Sequence, residues 1–124
     1  MPTQLSFAIP TRPVVQHPPP PPLWLDVTQT GRTIGFTSDT VLSLALHDAL
    51  TPLSTEEDGD YDQRLYNALW LGRFELTLDH RQSANFTFTF PRKHWQTEEI
   101  TDISMRLRCE VNNETARLGF PADF

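Results

Sequence analysis

The apolar period of this chain changes once, near Ala84, and that change limits the fold more than any other feature. Before it, Leu65, Ala68, Leu69 and Leu76 recur at three- and four-residue spacing within "YDQRLYNALWLGRFELTL", the stripe that an amphipathic helix buries. After it, Phe86, Phe88 and Phe90 alternate with Thr87 and Thr89. Further on, Ile103, Met105, Leu107, Cys109 and Val111 alternate with Ser104, Arg106, Arg108 and Glu110, and Ala116, Leu118 and Phe120 flank Arg117. A period of two is that of strands with one buried face. A hairpin around "NNET" pairs Val111 with Ala116, Cys109 with Leu118 and Leu107 with Phe120, and sets Glu110 opposite Arg117, a favourable cross-strand pair. Three antiparallel strands with one apolar face need helices to cover it. The expected fold is therefore α+β, with two or three helices packed on one face of a three-stranded antiparallel sheet.

Two further helices are read upstream. In "LDVTQTGRTIGF", Asp26 is placed to cap a short helix over 27–34, with Gly35 suited to a left-handed stop. In "TSDTVLSLALHDAL", Val41, Leu42, Ala45, Leu46 and Ala49 have helical spacing, with Thr37, Ser38 or Asp39 as cap. Thr51-Pro52 ends that helix, because the residue before proline avoids the helical region. On the third helix, Gly72 stands at a close-packing position. Tyr66, Trp70 and Phe74 form a second stripe beside the leucines, and so broad an apolar surface predicts a helix packed on two sides with its aromatics in the core.

Residues 1–22 carry eight of the eleven prolines, including Pro18 to Pro22 in succession. Proline fixes φ and lacks an amide donor, so this stretch enters no helix interior or central strand and reads as a stiff leader. The remaining 23–124 form one domain, since 124 residues leave no room for two cores. A net charge of −6 repels free DNA and anionic membranes as a whole. No apolar run approaches the roughly 20 residues of a membrane-spanning helix. No signal-peptide pattern is present at the start. The single cysteine forms no intrachain disulfide, which fits a reducing compartment. A cytoplasmic protein is expected.

Nothing in the sequence demands catalysis. Phosphate loops, paired CxxC motifs and nucleophile elbows are absent. Asp79, His80 and His94 are the best metal candidates, but their spacing requires no ion. Cys109, on the apolar parity of a strand, reads as a structural thiol. No enzyme activity, cofactor or metal is expected. Two charged groups remain as binding candidates. One is the acidic loop with Glu56, Glu57, Asp58, Asp60 and Asp62, either solvated at a helix amino terminus or a phosphate mimic toward a basic partner. The other is the polar sheet face with Arg106, Arg108 and Arg117, joined by Arg92, Lys93 and Trp95 beside the first strand. That face reads either as an ordinary solvated sheet face or as a binding face. In the second case it suits a protein partner, with Trp95 as a hot spot, better than nucleic acid, which the net charge disfavours. The Phe-rich strand, if it lies at an edge, leaves a homodimer open.

Three stretches together resemble a known group. "LDVTQTGRTIGF" is similar to an opening Asp-Val-Thr-x-Thr-Ala-Arg-x-x-Gly-Phe, "QRLYNALWLGR" to an Arg-Leu-x-x-x-Leu-Trp helix, and "ISMRLRCEVNNETARLGFPADF" to a closing hairpin with an apolar-Pro-x-acidic tail. The group consists of small uncharacterised proteins, a domain of unknown function carried on bacterial plasmids and other mobile elements. The resemblance covers 24–124, and Gly31 stands where the group has alanine. It implies cargo of a mobile genetic element and brings no catalytic residues. The expected function is a non-catalytic protein-binding module that acts by occlusion, in its most specific form an anti-CRISPR-like inhibitor of a bacterial defence complex. The alternative is a nucleic-acid-binding regulator using the arginine face.

Overall fold

The computed structural model describes residues 23–78 and 80–124, and the expectations placed on the proline leader lie outside the described residues. The elements are β1 (Trp24–Asp26), α1 (Thr28–Ile34), β2 (Asp39–Ser43), α2 (Leu44–Leu50), α3 (Gly59–Leu78), β3 (Ser83–Lys93), β4 (Ile100–Val111) and β5 (Thr115–Gly119), followed by a single 3-10 turn over Pro121–Asp123. The class is α+β, as the change of period predicts. The sheet, however, has five strands in the order β1-β2-β5-β4-β3, and it is mixed, because β2 runs parallel to β5.

The β4-β5 hairpin pairs as expected over most of its length, and β3 adds to β4 on the other side. Val111 faces Ala116, Glu110 faces Arg117 and Cys109 faces Leu118. Pairing stops at Arg108 and Gly119, so Leu107 and Phe120 do not pair. The chain turns there into Pro121, which lacks an amide donor to extend a ladder.

The two additional strands correct the three-stranded reading. Residues 39–43, expected inside a helix, extend β5 on its free side, with Thr40 beside Ala116 and Leu42 beside Leu118. Helical spacing misled here because β2 is only five residues long and runs straight into α2. Ser43 marks the change, since its hydroxyl accepts a hydrogen bond from the Leu46 amide at 3.1 Å. Its extended backbone together with this bond makes it the cap that starts α2. Thr51-Pro52 ends α2 as expected. The short β1 pairs antiparallel with β2, placing Leu25 beside Leu42.

α1 starts at Thr28, one residue later than expected, with Val27 rather than Asp26 in the cap position. The Asp26 carboxylate, at the end of β1, accepts from the Thr28 amide at 2.9 Å, and the helix ends at Gly35 with φ 123. Gly31 is required for packing. A Cβ there would lie 2.3 Å from the Thr40 hydroxyl oxygen, so alanine, which the resemblance led one to expect, does not fit. Gly72 likewise lets α3 approach the sheet, with an added Cβ 3.2 Å from Cys109 and 3.3 Å from Phe86.

The core lies between the three helices and one sheet face. Leu42, Leu46, Leu50, Leu69, Leu107 and Leu118 are fully buried, with Phe86, Phe88 and Phe90 beside them. The aromatic stripe of α3 is not part of it. Tyr66, Trp70 and Phe74 remain 41%, 50% and 42% exposed. The helix packs on one side only, because its leucine, alanine and glycine positions meet the sheet and nothing among the described residues covers the opposite face.

A buried ion pair joins the corner where α2, α3 and β3 meet. The Arg64 and Glu56 side chains are 5% and 3% exposed and hydrogen-bond directly. Arg64 also donates to the carbonyls of Leu50 at 3.1 Å and Pro91 at 3.2 Å. Glu56 accepts from the amides of Leu53 at 2.8 Å and Lys93 at 3.0 Å. Arg92 adds an ion pair to Glu56 at 3.5 Å and donates to the Thr51 carbonyl at 2.8 Å. Both guanidinium groups lie over the Phe90 ring. Burial pushes the Glu56 carboxyl up. The bonds from Arg64 and the two amides, with the Arg64 charge, outweigh burial and hold its pKa at about 2.

Two predictions follow from this packing. Glu56→Gln strands a buried guanidinium and is expected to cost about 3–5 kcal/mol in urea unfolding. A carboxyl depressed on folding binds fewer protons in the native state. Its contribution is therefore complete above the ordinary value of 4.5 and is lost as pH falls toward about 2. The variant should show a flatter acid limb between those values. Gly31→Ala should lower stability by about 1–3 kcal/mol through overpacking against Thr40, despite its better helix propensity. A thermal melt checks the sign.

Candidate functional site

With the helices on one side, the other face of the sheet carries polar and aromatic side chains, and alternation decides which. Arg106 and Arg108 on β4 and Arg117 on β5 share it with Asn85, Thr87 and Thr89 on β3 and Ser104 and Glu110 on β4, as the register requires. The face is internally bonded. Glu110 accepts from Arg108 and from Arg117, each at 2.8 Å. Arg108 also donates to the Asn85 side-chain carbonyl at 3.2 Å, and Arg106 donates to the Thr87 hydroxyl at 3.2 Å. Thr89 and Ser104 share a hydrogen bond at 2.8 Å. Partial burial pushes the Glu110 carboxyl up. The bonds and charges of its two arginines reverse this and keep it below its ordinary value.

Two aromatic residues complete the face that sequence reasoning did not assign to it. Trp24 on β1 and the terminal Phe124 contact edge to face at 5.4 Å. The Arg117 guanidinium lies 5.4 Å from the Trp24 ring centre and 5.0 Å from that of Phe124, and Arg108 lies 5.6 Å from Phe124. The 3-10 turn carries Phe124 back over the sheet, helped by the Asp123 carboxylate accepting from the Phe120 amide at 2.8 Å. The parity of Trp24 with Asp26 was a usable signal for its side of the sheet. Phe124 had none, because it follows a turn rather than a strand.

The other expected residues divide. Trp95 is 60% exposed at the tip of the β3-β4 hairpin, stacked on His94, and Ile100, paired with Lys93, is 64% exposed. Arg92 turns away into the Glu56 cluster, and Lys93 is half-buried with its amide on Glu56. In the acidic loop, Glu56 faces inward. Glu57, Asp58 and Asp62 are exposed, and Asp60 accepts from the Glu57 amide at 3.1 Å. The loop thus offers four acids in place of five, gathered where α3 begins.

Among the described residues no group of three or more His, Cys, Asp or Glu side chains is placed to hold a metal ion. His94 closes the hairpin turn, its Nδ1 accepting from the amides of Gln96 at 3.1 Å and Thr97 at 3.3 Å. Cys109 is 1% exposed, and burial, with the Glu110 charge, pushes its thiol up to about 12. Such a thiol supplies no thiolate near neutrality. No helix among the described residues is long and apolar enough to cross a membrane. Comparison with protein families, curated proteins and solved structures finds no match.

Chemically, this face is a preorganised array of arginines. Arginines normally free to move are held by a shared carboxylate and by aromatic rings, so less side-chain entropy is lost when a partner docks. The same clamp weakens it as a nucleic-acid platform. Glu110 offsets one of its two arginine charges, and the protein's own guanidinium groups lie against the rings on which a base would stack. Glu110→Gln is expected to release Arg108 and Arg117 and to raise the salt concentration at which the protein leaves a heparin column. Arg108→Ala combined with Arg117→Ala should shift elution the other way. Equal elution of wild type and Glu110→Gln would show that the clamp does not limit anion binding.

Proposed function

We propose that this chain is a small non-catalytic protein-binding module that acts by covering a surface of its partner with the open face of its sheet. The observation that carries the proposal is the clamped arrangement of Arg108, Glu110 and Arg117 against Trp24 and Phe124. It continues along β4 to Arg106 and ends near Trp95 and Ile100 at the hairpin tip. Trp and Arg are the residue types that dominate binding energy at protein interfaces. β4 is 12 residues long, which at about 3.4 Å per residue gives a face roughly 40 Å in length. Over the neighbouring strands, spaced about 4.8 Å apart, its area is on the order of 600–800 Å². That is the scale of one side of a standard protein interface, about 800 Å².

The resemblance to mobile-element proteins makes an anti-CRISPR-like inhibitor of a bacterial defence complex the most specific form of this reading. The acidic end of α3 then serves to steer the module toward a basic partner. The test is capture from bacterial lysate by the immobilised full chain, with and without nuclease, and identification of bound species by mass spectrometry. A stoichiometric protein that survives nuclease is expected. Its recovery should fall at least about tenfold for Trp95→Ala combined with Arg106→Ala, since interface hot spots cost more than about 1.4 kcal/mol each. Capture unchanged by that pair would move the site off this face. Loss of every bound species on nuclease treatment would transfer the function to nucleic acid.

A further inference from the structure

The outer face of α3 carries Tyr66, Trp70, Phe74 and Leu78 at intervals of four, exposed by 41%, 50%, 42% and 58%. The Trp70 and Phe74 rings are stacked, 5.4 Å apart and 6° from parallel. At 150–250 Å² per aromatic side chain, these exposures leave roughly 300 Å² of aromatic surface in water. A patch of that size on one helix, before Leu78 is added, is as large as the largest on a typical monomer and marks an interaction surface. Gln63, Asn67, Arg73 and Thr77 border it and are exposed, forming a polar rim.

We propose that this ridge is a homodimer interface in which two copies of α3 cross antiparallel at Trp70. Three features of the helix select a second copy. First, the ridge is self-complementary: Tyr66 and Phe74 stand four residues either side of Trp70, so a two-fold axis there sets Tyr66 of one copy beside Phe74 of the other. Second, side chains at intervals of four form the ridge that packs into the equivalent grooves of another helix at about 50°. Both copies present the same ridge. Third, the charges are polarised along the helix. Glu57, Asp58, Asp60 and Asp62 lie at its start, while Arg73 offsets Glu75 in its second half. A parallel crossing would bring four acids onto four acids. The antiparallel one separates them, opposes the helix dipoles favourably, and places Arg73 of each copy on the same flank as Asp62 of the other.

The competing self-association route is the free edge of β3. That edge carries Pro91 and ends in Arg92 and Lys93, the residue types that protect an edge from pairing. The dimer does not depend on the proposed function, because α3 and the open sheet face are on opposite sides of the molecule.

Sedimentation velocity and light scattering of the full chain from about 1 to 200 μM test the proposal. A species of twice the 14.2 kDa chain mass is expected. Trp70→Glu should weaken the dimer at least 100-fold while leaving the thermal melt extrapolated to zero concentration unchanged, since the side chain is half exposed. Arg73→Asp should weaken association, and Arg73→Asp combined with Asp62→Arg should restore it, a result that docking of an unrelated occupant would not give. A wild-type chain that stays monomeric at 200 μM overturns the proposal. So does a dimer that Trp70→Glu leaves intact, which would point to the β3 edge.

Discussion

The Arg64–Glu56 pair is the contact on which the arrangement of this molecule depends. It touches four segments at once: the end of α2 through the Leu50 carbonyl, the following loop through the Leu53 amide, α3 through Arg64, and the end of β3 through Pro91 and Lys93. Apolar packing alone would hold α3 against the sheet, but it is non-directional and would tolerate sliding. Bonds between one guanidinium, one carboxylate and named backbone atoms define a single register. Buried ion pairs are expensive to desolvate, and here the surrounding carbonyls, amides and the Phe90 ring compensate both partners.

With that corner held, the sheet acquires two unlike faces. The inner one is apolar and closely packed, with Gly31 and Gly72 letting helices approach within the space a methyl group would fill. The outer one is polar, and its order comes from side chains bonding one another across strands. Glu110 does on that face what Glu56 does inside, in milder form. One carboxylate serves two arginines, each partly open to water. The arginine face is therefore held in one arrangement, with one of its three arginine charges offset by Glu110.

The molecule also presents a second, chemically different surface on the outside of α3. An acidic helix start, an aromatic centre and an arginine further along lie on it, the features on which the proposed dimer rests. A module with one face for itself and another for a partner would present its partner face twice. Linking two such sites raises avidity through effective concentration without any new contact.

The sequence by itself determined the class of the fold, the extent of α3, the register of the β4-β5 hairpin, and the burial of Cys109. Each rests on local period, and period survives in one dimension because neighbours along a strand or helix share a face. It also determined that Arg106, Arg108 and Arg117 share the polar side. Tertiary structure alone decided the rest. Residues 39–43 carry apolar positions compatible with helix, and they become a strand because β5 offers an unpaired edge. Tyr66, Trp70 and Phe74 have the composition of core, and they lie outside because the smaller stripe beside them packs on the sheet and no element covers the aromatic side. Glu56 reads as one acid among five, and only the meeting of loop, helix and strand makes it the buried partner of Arg64. Phe124 joins the arginines through a turn that carries no period. The contacts that decide these positions include Thr40 beside Ala116, Glu56 with the Lys93 amide and Phe124 against Trp24. Their energy belongs to pairs distant along the chain rather than to either local pattern.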